Sequence, residues 1–485
     1  MMLGHTKSKL SDRILKGFSA GALGQVLNMA GRLVLIPLFL HAWGAAQYGE
    51  WLLISSLPAW LALSDLGGQV YFINRMTAAW ALKNQHAFKQ YFSTALLIFL
   101  ILPALIFLIF LVLILLFPVS SWLGVVEIPA WQAKACLLLL GFQVCISLPQ
   151  GLIVGVFRAI GELPRGVMYG NALLIGQIAL TVGCLASGGG VISVALVQLL
   201  PVLCLMVVAW RDLSKRIPGR DMFNIFGGSR VIAREAALPS LHFFGIQMSQ
   251  ALAIQGGIMV IGLLGATQVA VFGTLRAIVN MAKQMLGLLS HSAWPEFTRM
   301  HAAKEMEALR RLLIGLSRLT LFATLMFALL LHFFGGQLFE LWLNGKLPFD
   351  GHALSAFLIY ILLTICWTLQ ANVLMATNQH LVLARFQILF SVLGVAGTWA
   401  GASLGTLHLA IYGLTLGEAL PMLVLTSWLL KQSDLGLTFS LLIKESLLAL
   451  TAVIGMLVYP PACILLLIWS GVEGLQLVKK LHLSS

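Results

Sequence analysis

Residues 17–51 read GFSAGALGQVLNMAGRLVLIPLFLHAWGAAQYGEW. From Gly17 to Ala42 the stretch is apolar and exceeds the roughly 20 residues needed to cross a bilayer. Near its middle stands Arg32. A lone cation at the bilayer centre costs about 3 kcal/mol on insertion scales, so such a residue persists where it faces a polar cavity. The stretch lacks the short apolar core of a cleavable signal. We read it as a first membrane span that closes in an outer turn at Gly44-Ala45-Ala46-Gln47.

The same reading extends along the chain. Of 485 residues, 60% are hydrophobic and 10% charged, whereas a soluble domain carries about 25% charged residues. Further apolar stretches lie near 48–72, 92–117, 131–156, 167–187 and 191–210, and then near 237–264, 267–292, 313–334, 353–376, 387–404 and 410–430. This predicts an all-α polytopic membrane protein with 12 core transmembrane helices. The expected divisions are an N-terminal six-helix lobe (1–210), a cytoplasmic connector (211–235), a C-terminal six-helix lobe (236–430) and an extra segment (431–485). The last holds one long span or two short ones hinged at Pro460-Pro461; the closing Lys479-Lys480 favours two, and fourteen helices in all.

The net charge of +13 follows from membrane topology and not from nucleic-acid binding. With the N-terminus in the cytoplasm, 24 of the 30 lysines and arginines fall on inner segments, Lys134 and Lys346 lie outside, and Arg32, Arg276, Lys283 and Arg318 lie within spans. That asymmetry is the positive-inside pattern. The six cysteines sit in or beside apolar spans without metal-ligand spacing, as small buried hydrophobes do. No metal and no cofactor is implied.

The first turn has a copy. Gly265-Ala266-Thr267-Gln268 stands 221 residues after Gly44-Ala45-Ala46-Gln47, and each following span ends at an Arg-Met pair, Arg75-Met76 or Arg299-Met300. Six spans per half make this a parallel repeat, and repeat transporters place the substrate site between halves near the midplane. Arg32 lies twelve residues before Gly44 and Arg276 eleven after Gly265. At 1.5 Å per residue both are roughly 17 Å below the outer turn.

Lys283 follows Arg276 on the same helix face with Asn280 between them, and Gln25 and Asn28 precede Arg32 in a similar stripe. His242 and His291 would extend the polar surface inward. The alternative is a buried ion pair or a carbonyl-bound cation, with Asp65 and Glu418 as the available carboxylates. Asp65, near the inner end of the second span, reads as a cap or a point of unwinding; Asp65 and Glu418 are also the candidates for ion coupling. Glu50 is expected to face water, and Arg318 to reach back to the interface. Gly31 and Pro37 flank Arg32, and the carbonyl freed by a membrane-embedded proline makes a hinge there a candidate.

The chain resembles the polysaccharide-transporter branch of the MOP (multidrug/oligosaccharidyl-lipid/polysaccharide) exporter superfamily, and within it the Wzx-type O-antigen flippases. The residues that carry the resemblance are the basic N-terminus into Gly17–Pro37, Gly44 to Trp51, Asp65-Leu66-Gly67, Phe272-Gly273-Thr274-Leu275-Arg276 and Pro295. The resemblance implies two six-helix lobes around a central cavity. It implies a non-enzymatic monomer of the bacterial inner membrane that exports an undecaprenyl-diphosphate-linked oligosaccharide by alternating access. The anionic headgroup would sit in a cationic lumen, with proton or sodium coupling and with polysaccharide polymerase or chain-length machinery as partners.

Arg32, Arg276 and Lys283 fit that lumen. Unlike the multidrug branch, the first span carries Arg32 and no acidic residue. The competing functions are an ion-coupled multidrug-type antiporter and a membrane glycan polymerase or ligase. The outer loop 335–352, with Glu340, Lys346, Asp350 and His352, is small for the latter.

Overall fold

The computed structural model describes residues 2–217, 227–376 and 381–432, with Thr451 and Gly455 beyond them. The expected tail hairpin at Pro460-Pro461 lies outside these residues, as does most of 431–485. The described chain is helical throughout. Among the described residues, ten helical segments are long and apolar enough to cross a membrane. The chain divides into two compact units, Met1–Ala251 and Leu252–Ser485.

The first unit opens with α1 (Met2–Ser56), which runs through Pro37. Its one non-helical residue is Gly44, at φ 77° and ψ 177°, a region that only glycine occupies without strain. The turn read from sequence therefore breaks the helix at that residue. The second span is not one helix. Pro58 starts a 3-10 segment (Pro58–Asp65), Leu66 and Gly67 turn left-handed, and α2 (Gly68–Ala81) resumes. Eight residues of 3-10 helix is long, and such a run in mid-span marks strain or function.

Four longer helices complete the unit: α3 (Gln85–Leu116), α5 (Ala130–Ala159), α6 (Leu163–Ala186) and α7 (Val191–Arg216), with the short α4 (Val119–Trp122) between the first two. The helix α8 (Arg230–Ala251) packs on α2 and α3. The core between α2, α3 and α5 is aromatic and fully closed, centred on Phe72, Phe88, Phe92, Phe99 and Phe157.

Two polar devices hold this unit. Glu50 is 1% exposed, and its carboxylate accepts the backbone N–H groups of Val126, Glu127 and Ile128 at 2.6, 2.7 and 2.7 Å. The expectation that Glu50 faces water is thus corrected: it pins the α4–α5 loop. At one end of the α6–α7 hairpin, Arg165 grips Asp212 with two bonds of 2.6 and 3.0 Å, Tyr169 donates to the same carboxylate at 2.8 Å, and Arg216 bridges Asp212 and Glu162.

In the second unit a π-turn (Leu252–Gly256) leads through α9 (Gly257–Ile261) and a 3-10 turn (Gly262–Leu264) to Gly265, at φ 96° and ψ 160°. Gly44 and Gly265 thus share one glycine-only conformation. Then come α10 (Ala266–Ala302), α11 (Met306–Leu343), α12 (Gly351–Ala376) and α13 (Leu381–Ser403). A last span is again interrupted: α14 (Leu407–Leu414), a π-turn (Thr415–Ala419) and α15 (Leu420–Gln432). Arg318 on α11 is 7% exposed, buried among the helices.

Candidate functional site

In the first unit, α1 turns its small residues toward α6. Asn171 donates its amide to the Ala20 carbonyl at 2.9 Å, and its Oδ1 lies 2.6 Å from where a Cβ on Gly24 would stand. Gly31 faces Ile178 in the same way, at 2.5 Å. Gly31 therefore has a packing duty irrespective of any hinge. The polar stripe lies off this seam: Gln25 is exposed, and Asn28 and Arg32 are half-buried. Arg32 donates its Nε–H to Asn28 Oδ1 at 3.1 Å. Among the described residues no carboxylate lies within ion-pair distance of Arg32, and its electrostatic neighbour is the phenol of Tyr48.

Asp65 ends the 3-10 segment of the second span. One carboxylate oxygen accepts Gln69 N–H at 2.9 Å, which caps α2. The other accepts the Gln247 amide at 3.1 Å from α8. Gln69 reaches on to the Leu148 carbonyl of α5 at 3.1 Å. The unwinding read at Asp65 is present, and the group sits in a hydrogen-bonded frame spanning α2, α5 and α8.

The second unit contains a denser cluster. Arg276 donates to the carbonyls of Ile254 and Ala253 at 3.0 and 3.3 Å, both on the first π-turn, and lies 5.6 Å from the Phe272 ring centroid. A π-turn widens the helix and offers carbonyls to a side chain, which makes Arg276 in part a carbonyl-bound cation. Phe272 packs against Phe357 of α12 with ring centroids 5.3 Å apart and the planes tilted by 40°.

One turn further along α12, Tyr360 donates to Glu418 Oε2 at 3.3 Å. Glu418 is 9% exposed, on the second π-turn, within electrostatic reach of Lys283 and Arg276. Lys283 and Asn280 are half-buried on α10. Among the described residues Lys283 makes no hydrogen bond or contact ion pair; its field comes from Glu418 and Arg276. The side chains of His242 and His291 lie outside the described residues.

Glycines bring Glu418 there. A Cβ on Gly394 of α13 would stand 3.0 Å from Glu418 Cβ. Gly417 of the π-turn meets the Leu393 carbonyl, and Gly397 and Gly413 press backbone on backbone. Tyr360 and both π-turns have no counterpart in the sequence reading. The glycines at 394, 397 and 401 and at 413 and 417 were the available signal, since small residues one helical turn apart let helices approach in a membrane.

No protein-family model and no curated protein sequence matches the chain. Solved structures do match in fold. The inward-closed lipid II flippase MurJ superposes with a TM-score of 0.68 at 14% identity, covering 96% of this chain and 99% of its own. An inward-facing multidrug resistance MATE family transporter gives 0.67 at 16%, covering 87% and 99%. A MOP superfamily transporter from Pyrococcus furiosus, described as having a binding pocket of reversed polarity, gives 0.55 at 16%, covering 89% and 96%. The chain has the fold of MOP superfamily transporters.

Proposed function

We propose that this protein is a flippase. It moves an undecaprenyl-diphosphate-linked oligosaccharide, such as an O-antigen repeat unit, across the bacterial inner membrane, with its N-terminus in the cytoplasm. The observation that carries the reading is Arg32: a mid-span guanidinium whose described partner is a neutral amide, so its charge is available to an anion. Lys283 supports it with an ammonium that has no contact partner among the described residues.

Two charge-assisted bonds to diphosphate oxygens, about 1.5–3 kcal/mol each, would offset the headgroup's lost hydration. Arg276, Asn280, Asn28 and Gln25 complete the proposed headgroup ligands. Asp65 and Glu418 are the proposed ion-coupling carboxylates. Polysaccharide polymerase or chain-length machinery would receive the product. Arg32 disfavours the multidrug alternative, because a cation in the first span repels cationic drugs.

Deleting the gene is expected to leave the lipid-linked intermediate on the inner leaflet, read by chemical analysis of the lipid fraction. Arg32→Gln and Lys283→Gln should each slow translocation about tenfold, the equivalent of losing 1.4 kcal/mol, and Arg32→Lys should be milder. An unchanged surface glycan in the deletion strain, or full transport by the triple alanine variant at Arg32, Arg276 and Lys283, refutes the reading. Sensitivity to toxic cations without a glycan phenotype would favour the antiporter. Pro37→Ala is expected to slow transport without lowering the melting temperature; wild-type transport would remove the hinge.

A further inference from the structure

The cluster of the second unit sets an acid among the cations proposed to hold an anion. Glu418 is fixed from three sides. Gly394 and Gly417 press its π-turn against α13, Tyr360 of α12 donates a hydrogen bond at 3.3 Å, and Lys283 and Arg276 of α10 supply opposite charge. The geometry connects these groups independently. Arg276 lies over the Phe272 ring, Phe272 packs against Phe357, and Phe357 precedes Tyr360 by one helical turn. The carboxylate touches neither cation's full donor set: Arg276 spends two N–H groups on the carbonyls of Ala253 and Ile254, and among the described residues Lys283 makes no contact ion pair.

We propose that Glu418 is a built-in competitor anion. It neutralises Lys283 and Arg276 when the carrier is empty, and it weakens the binding of an incoming phosphate-bearing ligand so that the ligand can leave again. This rests on the reading of Lys283 as an anion ligand. An ammonium without a contact partner at bilayer depth is costly, and an internal carboxylate lowers that cost for Lys283 during the return step. The same negative charge repels the ligand at close range. Affinity is thereby exchanged for release, since most differences in affinity are expressed as differences in dissociation rate.

The experiment uses the full-length chain purified in detergent, with inorganic pyrophosphate as the probe, titrated by calorimetry. Lipid-linked oligosaccharide translocation in proteoliposomes is the second readout. Glu418→Gln keeps shape and removes charge. It is expected to bind pyrophosphate about tenfold more tightly, while translocation slows at saturating cargo and half-saturation falls.

Tyr360→Phe removes the donor to Glu418 and leaves the carboxylate more dependent on the cations. It should weaken pyrophosphate binding about threefold. Opposite signs from the two variants are not what misfolding produces. If Lys283→Gln abolishes binding but Glu418→Gln binds no more tightly than the wild type, the competitor role is overturned and the anion site stands. If the wild type binds no pyrophosphate, the anion site itself fails and takes the competitor with it.

Discussion

Gly413→Val will prevent α13 and α14 from packing. A Cβ at position 413 runs into the Gly397 carbonyl, and the reciprocal Cβ at 397 runs into Gly413. Those are backbone atoms, which cannot rotate away as a side chain can. Overpacking of an ordinary core costs about 1–3 kcal/mol; here a helix must move instead, and a loss of at least about 4 kcal/mol is expected. Thermal unfolding of the detergent-purified chain checks this. Gly183 on α6 has open space where its Cβ would be, and Gly183→Ala should be neutral or slightly stabilising, because alanine favours the helix. Equal melting temperatures for Gly413→Val and the wild type would show that the close approach does not exist.

Glu50→Leu is the second large effect. Three successive N–H groups converge on one carboxylate at 2.6–2.7 Å, short distances typical of charge-assisted bonds. Leucine leaves all three without an acceptor. Unsatisfied donors cost about 1–3 kcal/mol each when buried. Ile128 is 2% exposed whereas Val126 is 84% exposed, so water compensates unevenly, and a net loss of about 3 kcal/mol is expected. Glu50→Gln keeps one accepting oxygen and should lose roughly half as much. Amide hydrogen exchange at 126–128 should accelerate in both variants, with the larger change in leucine. Unaltered exchange would sink the assignment of Glu50 as the pin of that loop.

The sequence was legible where a physical rule acts on a single residue. Arg32 is conspicuous because a charge in hydrocarbon is costly, and it lies on a stripe with Asn28 as the helical period requires. Gly44 and Gly265 could be paired because a turn between spans needs a special backbone, and both proved to need glycine. Asp65 could be read as a cap because the Asp-Leu-Gly run interrupts an apolar stretch.

What was illegible depends on distant partners. Glu50 sits 76 residues or more from the amides it binds, and an acid near a span end looks the same whether it meets water or a loop. Tyr360 is one aromatic among many apolar neighbours on α12. The π-turns at 252–256 and 415–419 arise from one extra residue in a helical turn, which leaves the apolar pattern almost unchanged. Arg276 was conspicuous as a cation within a span, but its carbonyl partners exist only because the first of those turns opens.

The shared backbone state of Gly44 and Gly265 limits what either turn can tolerate. Most positions in the spans can exchange one apolar residue for another, because many apolar residues fill a given space. A φ of 77° or 96° with an extended ψ admits no such exchange, since any Cβ is strained there. At these two turns steric exclusion by the main chain, and not ligand chemistry, fixes the residue.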